Sequence, residues 1–423
     1  MQIALHSSAR KFAFLAGCVI LCTAYLSLCT REFVAAHFAE KPVLGSLEKA
    51  AALQPMNANY RHILGRYHLF VDQDPAAAVR FIESAISLNP YNAIYWLDLS
   101  TAYQLLGEKE KEISAVEKAL ATDPRTPEIA WQAANRLWAE GKLDNALHEF
   151  GVVAENDPYL MGASLERCWR IRPDVSSLLA TVLPRRADVY SSFLEFLISQ
   201  NQPTAAALTW AQVAQLHAPV STRYVFEYIR FLTGQKEIDQ ARRVWKDAAN
   251  LSDLSAYQPS PRNLLVNGDF SSPVLNGGFD WLYENVAGVS LAIDPTENHS
   301  AQQSLSIEFN SGGLEDAGIR QLVPVEPNTD YEFSAFFKSE NIEGAGGPRL
   351  ALQDAFSGTR YFESEDLKDA DFWKDVNGTF TTASDTKLLV VRIARVPANN
   401  AIRGRLWLDG VRLIEHTRVA GGE

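Results

Sequence analysis

Residues 93–126 read AIYWLDLSTAYQLLGEKEKEISAVEKALATDPRT. Trp96, Leu99 and Tyr103 follow one another at spacings that place them on one face of a helix, and Gly107 then supplies a turn. A second helix follows. Small Ala119 lets it approach the first closely, and Pro124 stops it without needing a backbone donor. The stretch therefore predicts two short antiparallel helices.

The pattern repeats along the chain. Pro90, Pro124 and Pro158 stand 34 residues apart, Gly107 and Gly141 keep the same interval, and Pro55 precedes the series by 35. A fixed period of this length marks stacked helix-turn-helix units, each of which buries its apolar face against its neighbours. The next unit carries Ala134, Leu137, Gly141, Ala146, Leu147, Phe150 and Pro158. The one before carries Leu64, Ala78, Val79, Ile82, Ala85, Ile86 and Pro90. On these residues the chain resembles the tetratricopeptide repeat (TPR) family, with repeats over 45–160. Residues 161–184 lose the phase and show no helix pair with the right turn. Tyr190, Phe193, Leu194, Ala206, Trp210 and Val213, then Phe231, Gly234, Ala241, Trp245 and Ala248, read as degenerate units, so 161–252 is expected to be TPR-like but irregular. The resemblance implies an inner surface, built from the first helices, that holds a protein partner. Thr101, Gln104, Trp131, Asn135 and Trp138 are its candidate contact residues. Trp131 and Trp138 are also spaced as a packed helix face would be.

Upstream of the repeats, Phe12 to Cys29 form an almost uncharged run of 18 residues, about 27 Å as a helix and just enough to cross a bilayer. No small-x-small cleavage site follows it, so an uncleaved signal anchor over 12–30 is expected. Leu15-Ala16-Gly17-Cys18 resembles a lipoprotein box but lies only three residues from the charged segment. Arg10 and Lys11 on the short side leave residues 1–11 cytoplasmic by the positive-inside rule. The expected setting is a bacterial inner membrane, crossed once, with the body in the periplasm or extracytoplasmic space.

The texture changes after the polar, proline-containing stretch 253–262, read as a linker. Beyond it, short apolar-polar alternations separated by turn residues predict an antiparallel sandwich over 263–416: 304–309, 331–337, 349–355, 388–396 and 405–414. A tail covers 417–423. The segments NLLVNGDF (263–270), HSAQQSLSIEF (299–309), WKDVNGTFTT (373–382) and LWLDGVRL (406–413) resemble carbohydrate-binding modules of the galactose-binding-like jelly-roll type. That resemblance implies a face on which aromatic rings stack on sugars while amides fix hydroxyls. Trp281, Tyr283, Gln353, Phe356 and Tyr361 are the candidate glycan contacts. It also implies a structural calcium, with Asp269 and Asp409 as the available carboxylates. No other cofactor is expected.

The overall fold class is thus multidomain: an all-α TPR-like solenoid, an all-β antiparallel jelly roll and one N-terminal transmembrane helix. The formal charge is −12, and residues 263–416 hold 23 acidic against 12 basic residues. That balance disfavours nucleic acid as a partner. With Cys18, Cys22 and Cys29 in the apolar run and only Cys168 elsewhere, no disulfide framework is available. No HExxH, GxSxG or phosphate-cradling glycine motif occurs, so an enzyme is not expected. The functional expectation is a membrane-anchored envelope adaptor that grips a protein through its repeats and a polysaccharide through its sandwich, in exopolysaccharide or cell-envelope assembly. Two alternatives stand beside it: a structural or protein-binding scaffold whose sandwich binds no glycan, and an accessory subunit of a polysaccharide-processing enzyme.

Overall fold

A computed structural model describes residues 7–41, 43–300 and 302–416. The expected tail, 417–423, lies outside the described residues, as does most of the N-terminal segment before the anchor. The chain divides into two compact units, Met1–Pro184 and Arg185–Glu423. It combines TPR-like helices with an antiparallel sandwich.

In the first unit the period is written into caps and turns. The helices are α1 (Ser8–Ala39), α2 (Leu44–Leu53), α3 (Ala58–Phe70), α4 (Pro75–Leu88), α5 (Ala93–Leu106), α6 (Lys109–Thr122), α7 (Pro127–Ala139), α8 (Leu143–Asn156), α9 (Met161–Ile171) and α10 (Val175–Thr181). Asn92 caps α5 by accepting from the Ile94 N–H, and Asp74 caps α4 by accepting from Ala77. Gly107 ends α5 in the left-handed region, φ 74°, where an L side chain would be strained. Ala78, Ile82 and Ala85 of α4 pack with Tyr95, Leu99 and Ala102 of α5 in one apolar cluster.

Residues 161–184 hold two helices, α9 and α10. Asp174 caps α10 by accepting from the Ser176 and Ser177 N–H groups, and Leu165, Cys168 and Leu178 are buried. At seven residues α10 is too short to display a helical apolar period, and Pro173 interrupts the pattern just before it.

The apolar helix α1 is 32 residues, longer than the expected 12–30 and about 48 Å from end to end. Phe12, Ile20 and Leu21 are exposed, whereas Ala35 is buried with Ala50 and Tyr60, and the Tyr60 hydroxyl donates to Glu32 (3.0 Å). It is long and apolar enough to cross a membrane.

The second unit opens with α11 (Ala187–Ser199), α12 (Pro203–Leu216), α13 (Thr222–Gly234) and α14 (Ile238–Leu251). Among the described residues ten strands follow: β1 (Leu282–Tyr283), β2 (Val289–Asp294), β3 (Ser304–Gly313), β4 (Asp316–Pro324), β5 (Asp330–Gly344), β6 (Gly347–Asp354), β7 (Arg360–Glu363), β8 (Lys374–Thr381), β9 (Leu388–Val396) and β10 (Ala401–His416). One sheet runs β1-β4-β9-β6-β7 and the other β2-β3-β10-β5-β8, with antiparallel pairing throughout. Alternate residues of both sheets, among them Ile307, Phe333, Leu352, Val391 and Leu408, fill the space between them. Gln321 is a polar member of this interior and is fully buried. Its amide donates to the Val266 carbonyl (2.7 Å) and its oxygen accepts from the Val266 N–H (3.2 Å), so both of its groups are satisfied.

Within this unit α14 is fastened to the sandwich. Trp245 is buried, its indole donates to the Tyr257 carbonyl (2.9 Å), and its ring meets Phe279 edge-on at 5.9 Å. Gly278 sits at φ +62°, and a Cβ there would lie 2.1 Å from the Trp245 ring, so a residue without a side chain is required. Residues 253–262 include a short 3-10 turn, Ser255–Tyr257. Gln258 donates to the Trp245 carbonyl and the Tyr257 hydroxyl donates to Pro273.

Candidate functional site

Two polar surfaces, one in each unit, gather part of the candidate residues. In the first unit the contacts lie on α5 and α7. The guanidinium of Arg136 donates to Gln104 Oε1 (3.2 Å) and to the Thr101 hydroxyl, which draws those two candidates together. Asn135 donates to its own helix at the Trp131 carbonyl (2.6 Å). Trp131 and Trp138 are half-buried and both lie edge-on to Phe150, and the Arg167 guanidinium stands 4.8 Å from the first ring and 5.6 Å from the second. They are both packed residues and partly open ones.

Beneath Arg136 the surface is electrostatically tense. Glu112 is buried 4.0 Å from Arg136, and burial followed by the nearby Glu140 charge pushes its carboxyl above the ordinary value. Burial lowers Arg136 in turn, while Glu112 and Asp98 oppose that change. His62 and Asp98 bond at 2.7 Å. The sequence reading missed Arg136 and Arg167, since a charged residue on a helix face is read as solvated unless its neighbours on other helices are known.

In the second unit the outer face of the β1-β4-β9-β6-β7 sheet forms the floor of a cleft of about 590 Å³, within the range usual for ligand sites. Arg230, Thr233 and Gly234 of α13 line it as well. Gln353 and Phe356 are both on its lining. Register explains the floor: Leu322 of β4 pairs with Val390 of β9, which pairs with Gln353 of β6. Asp354 accepts from the N–H groups of Phe356 and Ser357 (2.7 and 2.6 Å), fixing the turn that presents Phe356, whose ring lies 5.2 Å from the Lys236 ammonium.

The next row across the sheet is charged. Arg320 of β4 stands directly opposite Arg392 of β9, a like-charge pairing that weakens a sheet. Glu284 holds Arg320 at 2.5 Å, and Asp316 stands 3.5 Å from Arg392. Burial pushes the Asp316 carboxyl above its ordinary value, opposed by the Gly318 N–H and by both arginines. The Nε of Arg392 is buried with no hydrogen-bond acceptor.

The remaining candidates lie elsewhere. Trp281 is 1% exposed, stacked on Phe270 with its indole donating to the Asn267 carbonyl, and so sits in the sandwich interior. Tyr283 is exposed on the edge strand β1, in register with Ile319. Tyr361 shares a hydrogen bond with Thr386 (2.6 Å) and stacks on Phe380. Asp409 is fully buried, and its oxygens accept from the N–H groups of His299, Ser300 and Gly410 and from the Ser300 hydroxyl, at 2.6 to 2.7 Å. Asp269 accepts from Ser271. A carboxylate facing four donors is occupied as an acceptor, and this set does not fit a calcium cage, which needs converging oxygens. Among the described residues no group of three or more His, Cys, Asp or Glu is placed to hold a metal.

Comparison with known proteins bears on the sandwich first. Residues 262–398 match the family model of a carbohydrate binding domain. The matched domain contains β1 to β9 and hence the sheet residues of the cleft. Similar solved structures include one described as "CBM4 structure and function" (14% identity, 36% of this chain and 99% of that one, TM-score 0.27). Another is a family 16 carbohydrate binding module (22%, 36% and 100%, 0.27). For the helices, PilW, a type IV pilus biogenesis factor, is similar over 45% of this chain and 91% of its own, with 16% identity and a TM-score of 0.26. No curated protein matches the chain.

Proposed function

We propose that this chain is a non-enzymatic adaptor of the bacterial envelope, held at the inner membrane by α1, with its helical hairpins binding a protein and its sandwich binding a polysaccharide in the periplasm. The observation that carries the glycan half is the cleft on the matched carbohydrate binding domain, which has a half-open aromatic ring, Phe356, beside an amide, Gln353. A ring that can cover an apolar sugar face and an amide that can bond hydroxyls are the two elements sugar recognition needs. The protein half is supported by the α5–α7 surface, where Trp131, Trp138 and Arg167 combine aromatic area with charge. Exopolysaccharide or envelope assembly is the role that suits such a pair of surfaces.

Glycan arrays with the full chain in detergent test the first half. Phe356→Ala should weaken binding roughly tenfold, given the typical worth of an aromatic contact, with no change in melting temperature. Binding that survives Phe356→Ala and Gln353→Ala together would contradict the assignment. Recovery of a protein partner from membranes through residues 45–160, lost on Trp131→Ala with Trp138→Ala, tests the second half.

A scaffold reading draws support from the α14 seam, where Trp245, Phe279 and Gly278 interlock and Arg242 pairs with Glu326. A sandwich used for packing alone would show no glycan binding, while Phe356→Ala would leave every property unchanged.

A further inference from the structure

We infer that the cleft selects an acidic glycan, a polysaccharide bearing carboxylates such as uronic acid residues, and that Arg230 of α13 is its specificity-determining residue. This deepens the glycan reading given above and rests on it.

Three guanidinium groups, Arg230, Arg320 and Arg392, line the cleft against two carboxylates, Glu284 and Asp316. The sandwich supplies two charges of each sign to the cleft, so the surplus positive charge comes from Arg230 of α13. The arginines are not equally engaged. Arg320 is paired with Glu284 and Arg392 faces Asp316, whereas Arg230 is exposed and forms no ion pair with any described residue. Arg392 also has its buried Nε without an acceptor.

A sheet that places Arg320 directly opposite Arg392 accepts a like-charge penalty, and a buried donor without an acceptor adds to it. An anion in the cleft would relieve the like-charge contact. Guanidinium groups suit this task because their planar fork matches a carboxylate in a two-point hydrogen bond. Aromatic stacking plays a smaller part here than in a site for neutral sugars, since Phe356 is the one aromatic side chain among the residues lining the cleft. The aliphatic floor of Leu322, Leu388 and Val390 accommodates the C–H face of a sugar ring, while Arg230 stands on the helical wall. The site is therefore shared between α13 and the sheet.

The test is titration calorimetry of the full chain in detergent with polygalacturonate, with the same polymer after reduction of its carboxyl groups, and with polyglutamate. Polygalacturonate should bind at least tenfold more tightly than its reduced form, because a charged hydrogen bond is worth about a factor of ten or more. Arg230→Gln should erase that difference, leave the weaker binding of the reduced polymer in place and not move the melting temperature. Arg230→Lys, which keeps the charge without the fork, should fall between. Equal binding of acidic and reduced polymers, or no effect of Arg230→Gln, would overturn the acidic selection while leaving the glycan reading intact. Polyglutamate binding as tightly as polygalacturonate would overturn it as well, showing that charge alone is read. Binding of none of the sugars would remove the glycan reading and this inference together.

Discussion

The α7–α8 and α13–α14 hairpins share one plan but have different surroundings. In the first, Trp131 and Trp138 remain half open, braced by Phe150 and Arg167 from helices of the same unit. In the second, Trp245 is entirely covered, because its ring is pressed against Phe279 and Gly278 at the margin of the sandwich. A repeat unit buries an apolar face against whatever follows it. When the following element is another hairpin, aromatic area is left over for a partner, and when it is a sandwich, that area becomes a joint.

The largest way to break this contrast is Trp245→Ala, expected to cost about 3–5 kcal/mol through the cavity it leaves and its lost hydrogen bond. Urea unfolding of the full chain should register that loss. Trp131→Ala, at a half-open position, should cost clearly less, and equal losses would abolish the distinction.

Asp280 sharpens the contrast through pH. It is fully buried near the joint, its carboxylate accepts from the Leu275 N–H (2.7 Å), and burial pushes its value up from 3.8 to about 6. Between those two values the folded chain keeps a proton that the unfolded chain has lost. Stability from this group is therefore greatest below pH 4, falls as pH rises to about 6 and is level above. Asp280→Asn should remove that fall and be more stable than the wild type by up to about 3 kcal/mol at pH 8, with the advantage gone below pH 4. A parallel pH profile for the two proteins would contradict this.

The smallest expected effect belongs to the open hairpin. Arg167→Ala should lower the stability of the first unit by only about 1 kcal/mol, the order expected of a half-buried cation-π contact, while weakening capture of a protein partner. Lost stability with unchanged capture would make Arg167 a packing residue.

The helical half was legible because its signals are local. Pro90, Pro124, Pro158, Gly107 and Gly141 mark helix ends by their own backbone chemistry, whatever lies nearby. Over 161–184 the repeat phase is not legible, because α10 is very short and Pro173 interrupts the pattern. In the sandwich, β9 coincides with the expected 388–396, β3, β5 and β10 extend the strands read from alternation, and β6 overlaps the expected 349–355 but ends at Asp354. Strand β4 was not read as one: Gln321 occupies an inward position where an apolar residue would have completed the period, yet Val266 satisfies it from afar. That strand carries Asp316 and Arg320, so part of the charged row went unseen with it. Arg230 was hidden for a different reason, since it belongs to the helices and meets the sheet only in three dimensions. Trp281 was chosen for its chemistry, but the fold uses its ring as core.

Native-state hydrogen exchange across increasing denaturant tests most directly whether α13–α14 and the sandwich form one cooperative body. The account predicts that amides of α13, α14, β4 and β9 open with a common free energy, and that Trp245→Ala lowers all of them by the same amount. Helices that exchange at lower free energy than the strands, with β4 and β9 untouched by the substitution, would contradict it.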